Sequence, residues 1–322
     1  MSDVVVSENI SGPAMDALRR EFDVAFEPDL WKSPDRLQSQ LRDARALLVR
    51  NQTQVNAEIL AAAPKLQIVA RAGVGIDNID AAAASASGIV VSYAPAANAV
   101  SVAELALGLM LSLARNLPQA HADTQAGGWN RLRYMGTELA GKTLGIVGFG
   151  RIGQLTAERA RAFGMRILAA DAVLQPDAPA LARTGAQLVP LEQLLLEADV
   201  VTLHVPLTPE TRGMFGAAQL ARMKQGAVFV NTSRGEVVDE PALIAALGEG
   251  RIAGAALDVR GVEPPVRSRL NEMSNVIMLP HIGAFTHEAQ ARVIDAICRD
   301  VRAVLTGGEA LEYVNFSRSK RS

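Results

Sequence analysis

The chain has 322 residues and one cysteine, Cys298. A single thiol excludes an intrachain disulfide and fits a reducing compartment, so a cytoplasmic location is expected. Cys298 lies on the apolar stripe of a helical pattern and reads as a small core residue. Histidine is scarce too, with four in all. No cysteine/histidine cluster has metal-ligand spacing, so no metal is expected. No apolar run reaches the roughly 18 uninterrupted residues of a membrane span. No charged-then-apolar leader opens the chain; Val4-Val5-Val6 reads as a strand instead. Charge of one sign is lacking as well: 32 Lys and Arg against 34 Asp and Glu leave a net −2. That balance gives a nucleic acid or an anionic membrane little to hold. Short repeats and low-complexity linkers are missing, beyond the alanines at 81–84. The basic tail 317–322 reads as frayed.

What is present is apolar material, 49% of the residues, enough for two ordinary domains and a large core. Strand and helix patterns alternate from end to end, which argues for α/β architecture with parallel sheets. Strands are expected at 4–6, 46–49 and 67–70, with helices at 11–22, 34–41 and 56–63 between them. This unit, about residues 1–98, has no glycine fingerprint. An apolar helix is expected from 99 to about 115, with Val102, Leu105, Ala106, Leu109, Met110 and Leu113 at helical spacing. Gly127-Gly128 then breaks the chain. Further strands are expected at 144–147, 167–170, 200–203, 228–231, 255–259 and 276–279, and a last helix at 288–305. The final segment should return to the first unit. The expected division is 1–98 plus 287–322 for substrate and 99–286 for cofactor, with a cleft between.

One motif stands out: Gly148-Phe149-Gly150-Arg151-Ile152-Gly153, followed by Asp171. An apolar strand precedes the glycines, a helix follows them, and the acid ends the next strand. Strand, tight turn, helix, strand and acid make up the dinucleotide-binding fingerprint. The glycines let the backbone turn and approach a pyrophosphate, and the helix N-terminus offers it unpaired N–H groups. Asp171 suits the ribose diol and repels a 2′-phosphate, and no Arg or Lys lies at 172–175. NAD is therefore expected over NADP.

Arg234, Glu263 and His281 each sit just past an expected strand end. Ligands of open α/β sheets bind outside the carboxyl ends of strands, so all three can face a nicotinamide. A histidine suits proton transfer, a carboxylate orients and charges it, and an arginine grips a substrate carboxylate. Position alone also allows Arg234 to brace a turn and His281 to be a satisfied strand-end histidine.

Here a resemblance enters. Gly73-Val74-Gly75-Ile76-Asp77-Asn78-Ile79-Asp80, the glycine fingerprint, the stretch 203–213 beginning Leu203-His204-Val205-Pro206, Asn231-Thr232-Ser233-Arg234-Gly235, Ala256-Leu257-Asp258-Val259 and Leu279-Pro280-His281-Ile282-Gly283 resemble the D-isomer-specific 2-hydroxyacid dehydrogenases over nearly the whole length. The resemblance implies two parallel-sheet domains, Rossmann-like and flavodoxin-like, with the cofactor domain inserted in a discontinuous substrate domain. It implies that Arg234 binds and polarises substrate, Glu263 supports His281, and His281 is the acid/base. Glu263 is then expected to favour the charged imidazole. It implies that Asp258 meets the nicotinamide amide and that Arg151, Ile152, His204, Val205, Pro206, Thr211, Thr232, Ser233 and Gly283 line the cofactor. The backbone of Val74 and Gly75, and Asn98, would hold substrate. His121 reads as a surface residue and His287 as a helix cap or surface residue.

Within the family the chain is most similar to the branch acting on 3-phosphoglycerate, through 49–55, 70–73 and 128–139. That similarity implies that Arg50 and Arg71 face a distal phosphate, with Arg131 or Arg133 supplied by a neighbouring subunit. The plainer reading leaves Arg50 and Arg71 as solvent-facing strand ends. Two departures stand against the branch: the regulatory domain of its long members lies beyond this chain, and Arg260-Gly261 stands where relatives carry an aromatic and a polar residue. Arg260 is expected to add charge near Glu263. A sulfonate such as sulfolactate would satisfy the same arginines. Glyoxylate or hydroxypyruvate reduction is a further reading, though Asp171 opposes the NADP such enzymes favour. An NAD-sensing corepressor needs a peptide surface that is not evident, and formate dehydrogenases carry glutamine where Glu263 stands. The helix from 99 and the loop through Trp129 and Met135 are where the family dimerises, so a homodimer closing its clefts on NAD and substrate is expected.

Overall fold

The computed structural model describes residues 2–316; the basic tail 317–322 lies outside the described residues. It divides into two compact units, one running to Asn98 and resuming at Ala284, the other spanning Ala99–Gly283.

The first unit is built on β1 (Val4–Val6), β2 (Val24–Phe26), β3 (Ala46–Val49), β4 (Ile68–Arg71) and β5 (Val90–Ser92), all parallel in the order β2-β1-β3-β4-β5. β1 and β3 are continuous apolar runs because both faces of the sheet are covered. Val4, Val6, Ala46 and Leu48 pack against α1 (Pro13–Glu21) and the C-terminal helix His287–Leu305. Val5, Leu47 and Val49 face α2 (Pro34–Leu41), α3 (Ala57–Ala61) and α4 (Ala81–Ala86). α1 starts two residues later than expected, because Gly12 has φ +149° and Pro13 fits the first helical turn. The alanines at 81–84 form α4, capped where Asp80 Oδ1 accepts from Ala83 N at 2.9 Å. β2 and β5 are not expected from the sequence. The closing segment returns to this sheet: Asn315 Oδ1 accepts from Val91 N at 2.8 Å and its Nδ2 donates to Ile89 O at 2.7 Å. Cys298 is buried in this core, and burial pushes its thiol up to about 12, so it is inert.

The second unit holds β6 (Thr143–Val147), β7 (Arg166–Ala170), β8 (Gln187–Leu188), β9 (Val200–Leu203), β10 (Val228–Asn231), β11 (Gly254–Leu257) and β12 (Val276–Met278). They form one parallel sheet in the order β12-β11-β10-β9-β6-β7-β8. One face carries α5 (Ala99–Ala114), followed in sequence by α6 (Leu117–Gln125), together with α7 (Arg151–Ala162) and α8 (Pro179–Thr184); Met110, Ile146, Ala157 and Leu181 share its core. The other face carries α9 (Leu191–Glu197), α10 (Ala217–Arg222) and α11 (Glu240–Gly248), around Leu194, Leu220, Phe229 and Leu243. No single helix among the described residues is long and apolar enough to cross a membrane.

Both sheets reverse their strand order at one point, β1/β3 in the first unit and β6/β9 in the second. In open α/β sheets such a switch point, at the carboxyl ends, is where ligands bind. The residues directly beyond those ends are Ser7, Glu8 and Arg50 in one unit, and Gly148 and His204 in the other.

Candidate active site

The glycine turn follows β6, and its three glycines differ physically. Gly148 has φ +89°, and an added Cβ would lie 2.6 Å from His204 O. A Cβ on Gly153 would lie 2.3 Å from Gly148 O, so only glycine lets α7 sit this close to the turn. Gly150, the N-cap of α7, has nothing within 4 Å of such a Cβ. Packing therefore explains the outer two, and open space beside the middle one, at a helix N-terminus, fits an approaching pyrophosphate. Arg151 and Ile152 open α7 at the rim of that space, exposed and half-buried.

Asp171 follows β7 and is tied to the same turn. Its Oδ2 accepts from Phe149 N at 2.7 Å, and Oδ1 from Val173 N and Leu174 N at 2.9 and 3.0 Å. Three of about four acceptor directions are used, leaving one on Oδ2 for a ribose hydroxyl. At the end of β9, His204 N donates to Val147 O at 2.8 Å. Its imidazole Nδ1 is buried without a partner, and burial pushes the ring's pKa down to about 3. This is a neutral structural histidine whose backbone backs Gly148. Val205 packs beside it, and Thr211 Oγ1 donates to Pro206 O at 2.6 Å and accepts from Thr208 N at 2.8 Å, holding the 205–211 loop.

Past β10, Asn231 organises the turn that carries Arg234. Its Oδ1 accepts from Ser233 N and Ser233 Oγ at 3.0 and 2.8 Å, and its Nδ2 donates to Arg234 O at 2.9 Å. Thr232 Oγ1 is buried with no partner. Arg234 Nη1 donates to Ser233 O at 2.8 Å.

The last two strands deliver the acid–base pair. His281 Nδ1 lies 2.7 Å from Glu263 Oε2. A carboxylate there fixes the proton on Nδ1 and leaves Nε2 as the reactive nitrogen. Burial pushes the Glu263 carboxyl up. Its hydrogen bonds from His281 and from Arg260 N, with the charges of His281 and Arg234, outweigh that and hold it below the ordinary value. His281 has φ +57°, the left-handed region, unusual for a non-glycine residue. Asp258 explains how that is held. Its carbonyl accepts from His281 N at 2.8 Å, while Oδ1 and Oδ2 accept from Ile282 N and Gly283 N, each at 2.8 Å. Asp258 is therefore committed first to the histidine turn, a role beyond the amide contact expected of it.

One expectation changes and two are narrowed to one of their alternatives. Arg260 does not add free charge beside Glu263, because its guanidinium is paired with Glu240. His287 is the exposed first residue of its helix, not the cap; Thr286 caps it, Oγ1 accepting from Ala289 N at 3.1 Å. Arg50 is not a solvent-facing strand end but half-buried, at the switch point of its own unit.

In that unit the buried Glu8 clamps the turn after β3, accepting from Arg50 N, Gln52 N and Thr53 N at 2.7, 3.1 and 3.0 Å. Asn78 Nδ2 grips the same turn through Arg50 O and Thr53 O. The Arg50 guanidinium donates to Gln290 and lies 5.8 Å from the Phe285 ring centre, while its buried Nε has no partner. Burial pushes its pKa down against the pull of Glu8. A cavity of about 450 Å³ lies here, lined by Glu8, Asn9, Trp31, Arg50, Gln52 and Phe285 among others. Arg71 ends β4 with its guanidinium lying across Gly73, where a Cβ would be 1.4 Å from Nη1. Val74 and Gly75 follow on a half-exposed turn, and Asn98 Oδ1 is buried without a partner. In the second unit Arg133 is exposed beside Tyr134, and His121 is exposed on α6. Glu8 and Glu240 carry no mark in the sequence, and Asn78 and Asn231 stand in family-like stretches without an assigned role; their parts as clamps appear only in the structure.

A doubly wound parallel sheet with this glycine turn and acid defines the second unit as a dinucleotide-binding domain. Residues 107–283 match the family described as D-isomer specific 2-hydroxyacid dehydrogenase, NAD binding domain. The chain belongs to the D-isomer-specific 2-hydroxyacid dehydrogenase family, and its second unit is the NAD-binding domain. It is 44% identical over 316 residues to D-3-phosphoglycerate dehydrogenase of Methanocaldococcus jannaschii, covering 98% of this chain and 60% of that protein. It thus spans about three fifths of the length of such curated relatives. Its fold is similar to the TT0316 protein of Thermus thermophilus (TM-score 0.90, 36% identity, 97% of this chain and 99% of that one). It is also similar to D-lactate dehydrogenase of Aquifex aeolicus in complex with NAD and lactic acid (TM-score 0.87, 29% identity, 98% and 99% covered).

Proposed function

We propose that the protein oxidises a D-2-hydroxy acid bearing a second anionic group, with 3-phosphoglycerate its best candidate, and reduces the matching 2-oxo acid in reverse. The observation that carries this reading is the 2.7 Å His281–Glu263 pair, with Arg234 near enough to act on Glu263 by charge. When bound, NAD supplies the hydride acceptor. His281 Nε2 takes the hydroxyl proton, and Glu263 stabilises the imidazolium that results. Arg234 holds the substrate carboxylate through its forked donors and polarises the forming carbonyl. The turn at Val74 and Gly75, with Asn98, contributes to substrate binding. Gly148, Gly150, Gly153, Arg151, Ile152 and Asp171 hold the cofactor, together with the loop of His204, Val205, Pro206 and Thr211 and with Thr232, Ser233, Asp258 and Gly283.

Arg50 at its switch point takes the distal anion, aided by Arg71. Its unsatisfied buried Nε supports this, because a buried donor without a partner is costly until an acceptor arrives. The enzyme works in the cytoplasm as a homodimer. Trp129, Leu132 and Met135, each at least three quarters exposed on one segment, support a second copy covering them and bringing Arg133 to its partner.

The test is NAD reduction with 3-phospho-D-glycerate, D-glycerate, D-lactate and both sulfolactates in parallel. Preference for phosphoglycerate is expected. Preference for a sulfolactate keeps the chemistry and changes the distal group, and no turnover with any of them refutes the reading. A monomeric mass in sedimentation at micromolar concentration would refute the dimer.

A further inference from the structure

Arg260 lies just past β11, where an arginine is ordinarily solvated. Here its side chain is only 7% exposed. Nε and Nη2 form a fork on Glu240, at 3.0 Å to Oε2 and 2.7 Å to Oε1. Nη2 also reaches Ser268 Oγ at 3.1 Å, and Nη1 lies 3.3 Å from Met278 Sδ. Glu240 is the first residue of α11, so this anchor belongs to a helix packed in the core. A buried guanidinium must be paired, and a fork paired on both prongs admits one geometry. The side chain therefore fixes the main chain it hangs from.

That main chain touches both halves of the candidate chemistry. Arg260 N donates to Glu263 Oε1 at 3.0 Å, while Glu263 Oε2 holds His281. On its other side, a Cβ on Gly235 would lie 1.9 Å from Arg260 C and 2.2 Å from Arg260 O. The turn carrying Arg234 is thus pressed directly on the Arg260 backbone. We infer that Arg260, anchored on Glu240, is a positioning residue that sets Glu263 against His281 and holds the Arg234 turn beside them. The inference rests on the proposed role of that pair. The charged groups facing it are Glu263, Arg234, Arg260 with Glu240, and the buried Asp258.

Two variants separate positioning from charge. Arg260→Lys keeps the cation but cannot make the fork or reach Ser268 and Met278 together. Glu240→Gln keeps one acceptor but breaks one prong of the fork and leaves the cation without a counter-charge. Both are compared with Glu263→Gln by turnover and by NMR titration of the His281 ring, identified through His281→Asn. In both, kcat should fall about tenfold with KM little changed, and the His281 midpoint should move down, as in Glu263→Gln but less. For Glu240→Gln the freed cation and the loosened carboxylate act in the same direction, since each disfavours the imidazolium. A midpoint and a kcat at wild-type values in both variants would overturn the inference, and so would a lower melting temperature with an unmoved midpoint. If either variant fails to fold, Glu240→Asp, which shortens the anchor, gives the same reading. The titration needs no substrate, so a wild type inactive on every hydroxy acid would sink the proposed reaction and still leave this geometry tested.

Discussion

Replacing Asp258 by asparagine probes how the acid–base histidine is held. Wild-type Asp258 is almost wholly buried and places one oxygen on Ile282 N and the other on Gly283 N, each at 2.8 Å. Asparagine offers one oxygen and one NH2 group, so one of the two N–H groups must face another donor. A hydrogen bond to a charged group is worth about 1.5–3 kcal/mol, and leaving a buried donor unmet costs about 1–3 kcal/mol. After the one bond asparagine can keep, the net loss is about 3 kcal/mol. His281 adds to the effect: its left-handed conformation costs about 1–2 kcal/mol and persists only while the turn is pinned. Thermal unfolding should therefore fall by about 6–12 °C for a unit of this size. In turnover, kcat should drop because the ring is displaced, and KM for NAD should rise as well, since Asp258 is proposed to meet the cofactor. A loss under about 1 kcal/mol together with unchanged kcat would refute the reasoning.

Glu263→Gln should move the apparent pKa of hydroxy-acid oxidation downward and lower neutral-pH kcat/KM at least about tenfold, since general acid–base work is worth about 10²–10⁴; an unmoved pH–rate profile counts against the pairing. The same change bears on acid stability. Glu263 titrates below its ordinary value when folded, so its contribution is present above the unfolded pKa and is lost as pH falls through the folded one. The variant should show a shallower loss of stability in that acid window than wild type, read by unfolding at stepped pH. Arg50→Gln should raise KM for phosphoglycerate about 10- to 100-fold, the worth of a charged hydrogen bond, and leave D-lactate nearly unaffected; equal effects on both substrates would remove Arg50 from the distal site. Asp171→Ala should narrow the preference for NAD over NADP and also loosen the turn it holds at Phe149; unchanged selectivity would dismiss it as the ribose carboxylate.

Most strands of both sheets are legible because helices cover both faces: β3 is an unbroken apolar run, and Thr143 in β6 and Thr202 in β9 are the only polar residues of those two strands. The edge strand β2 is apolar too, but it is only three residues long and half-buried. The placing of Arg234, Glu263 and His281 past strand ends followed from the order of the elements alone. What holds them did not. Glu8 and the turn it clamps at Arg50 are 42 positions apart, and Glu240 and Arg260 are 20 apart. Nothing along the chain states that such pairs meet, because their approach is set by sheet order. The left-handed His281 is equally silent in sequence, since the force that imposes it comes from Asp258 on the neighbouring strand's end.

The space beside Gly150 is open and lies at the N-terminus of α7, where the first main-chain N–H groups of a helix have no partner within it. Main-chain amides do not titrate, so an anion seated there meets the same field in acid and in alkali. The Glu263–His281 pair sits elsewhere, past the ends of β11 and β12. Grip on the pyrophosphate and readiness of the base therefore rest on different groups. A limb in the pH–rate profile near neutrality then reports on the chemistry and not on whether the nucleotide is held.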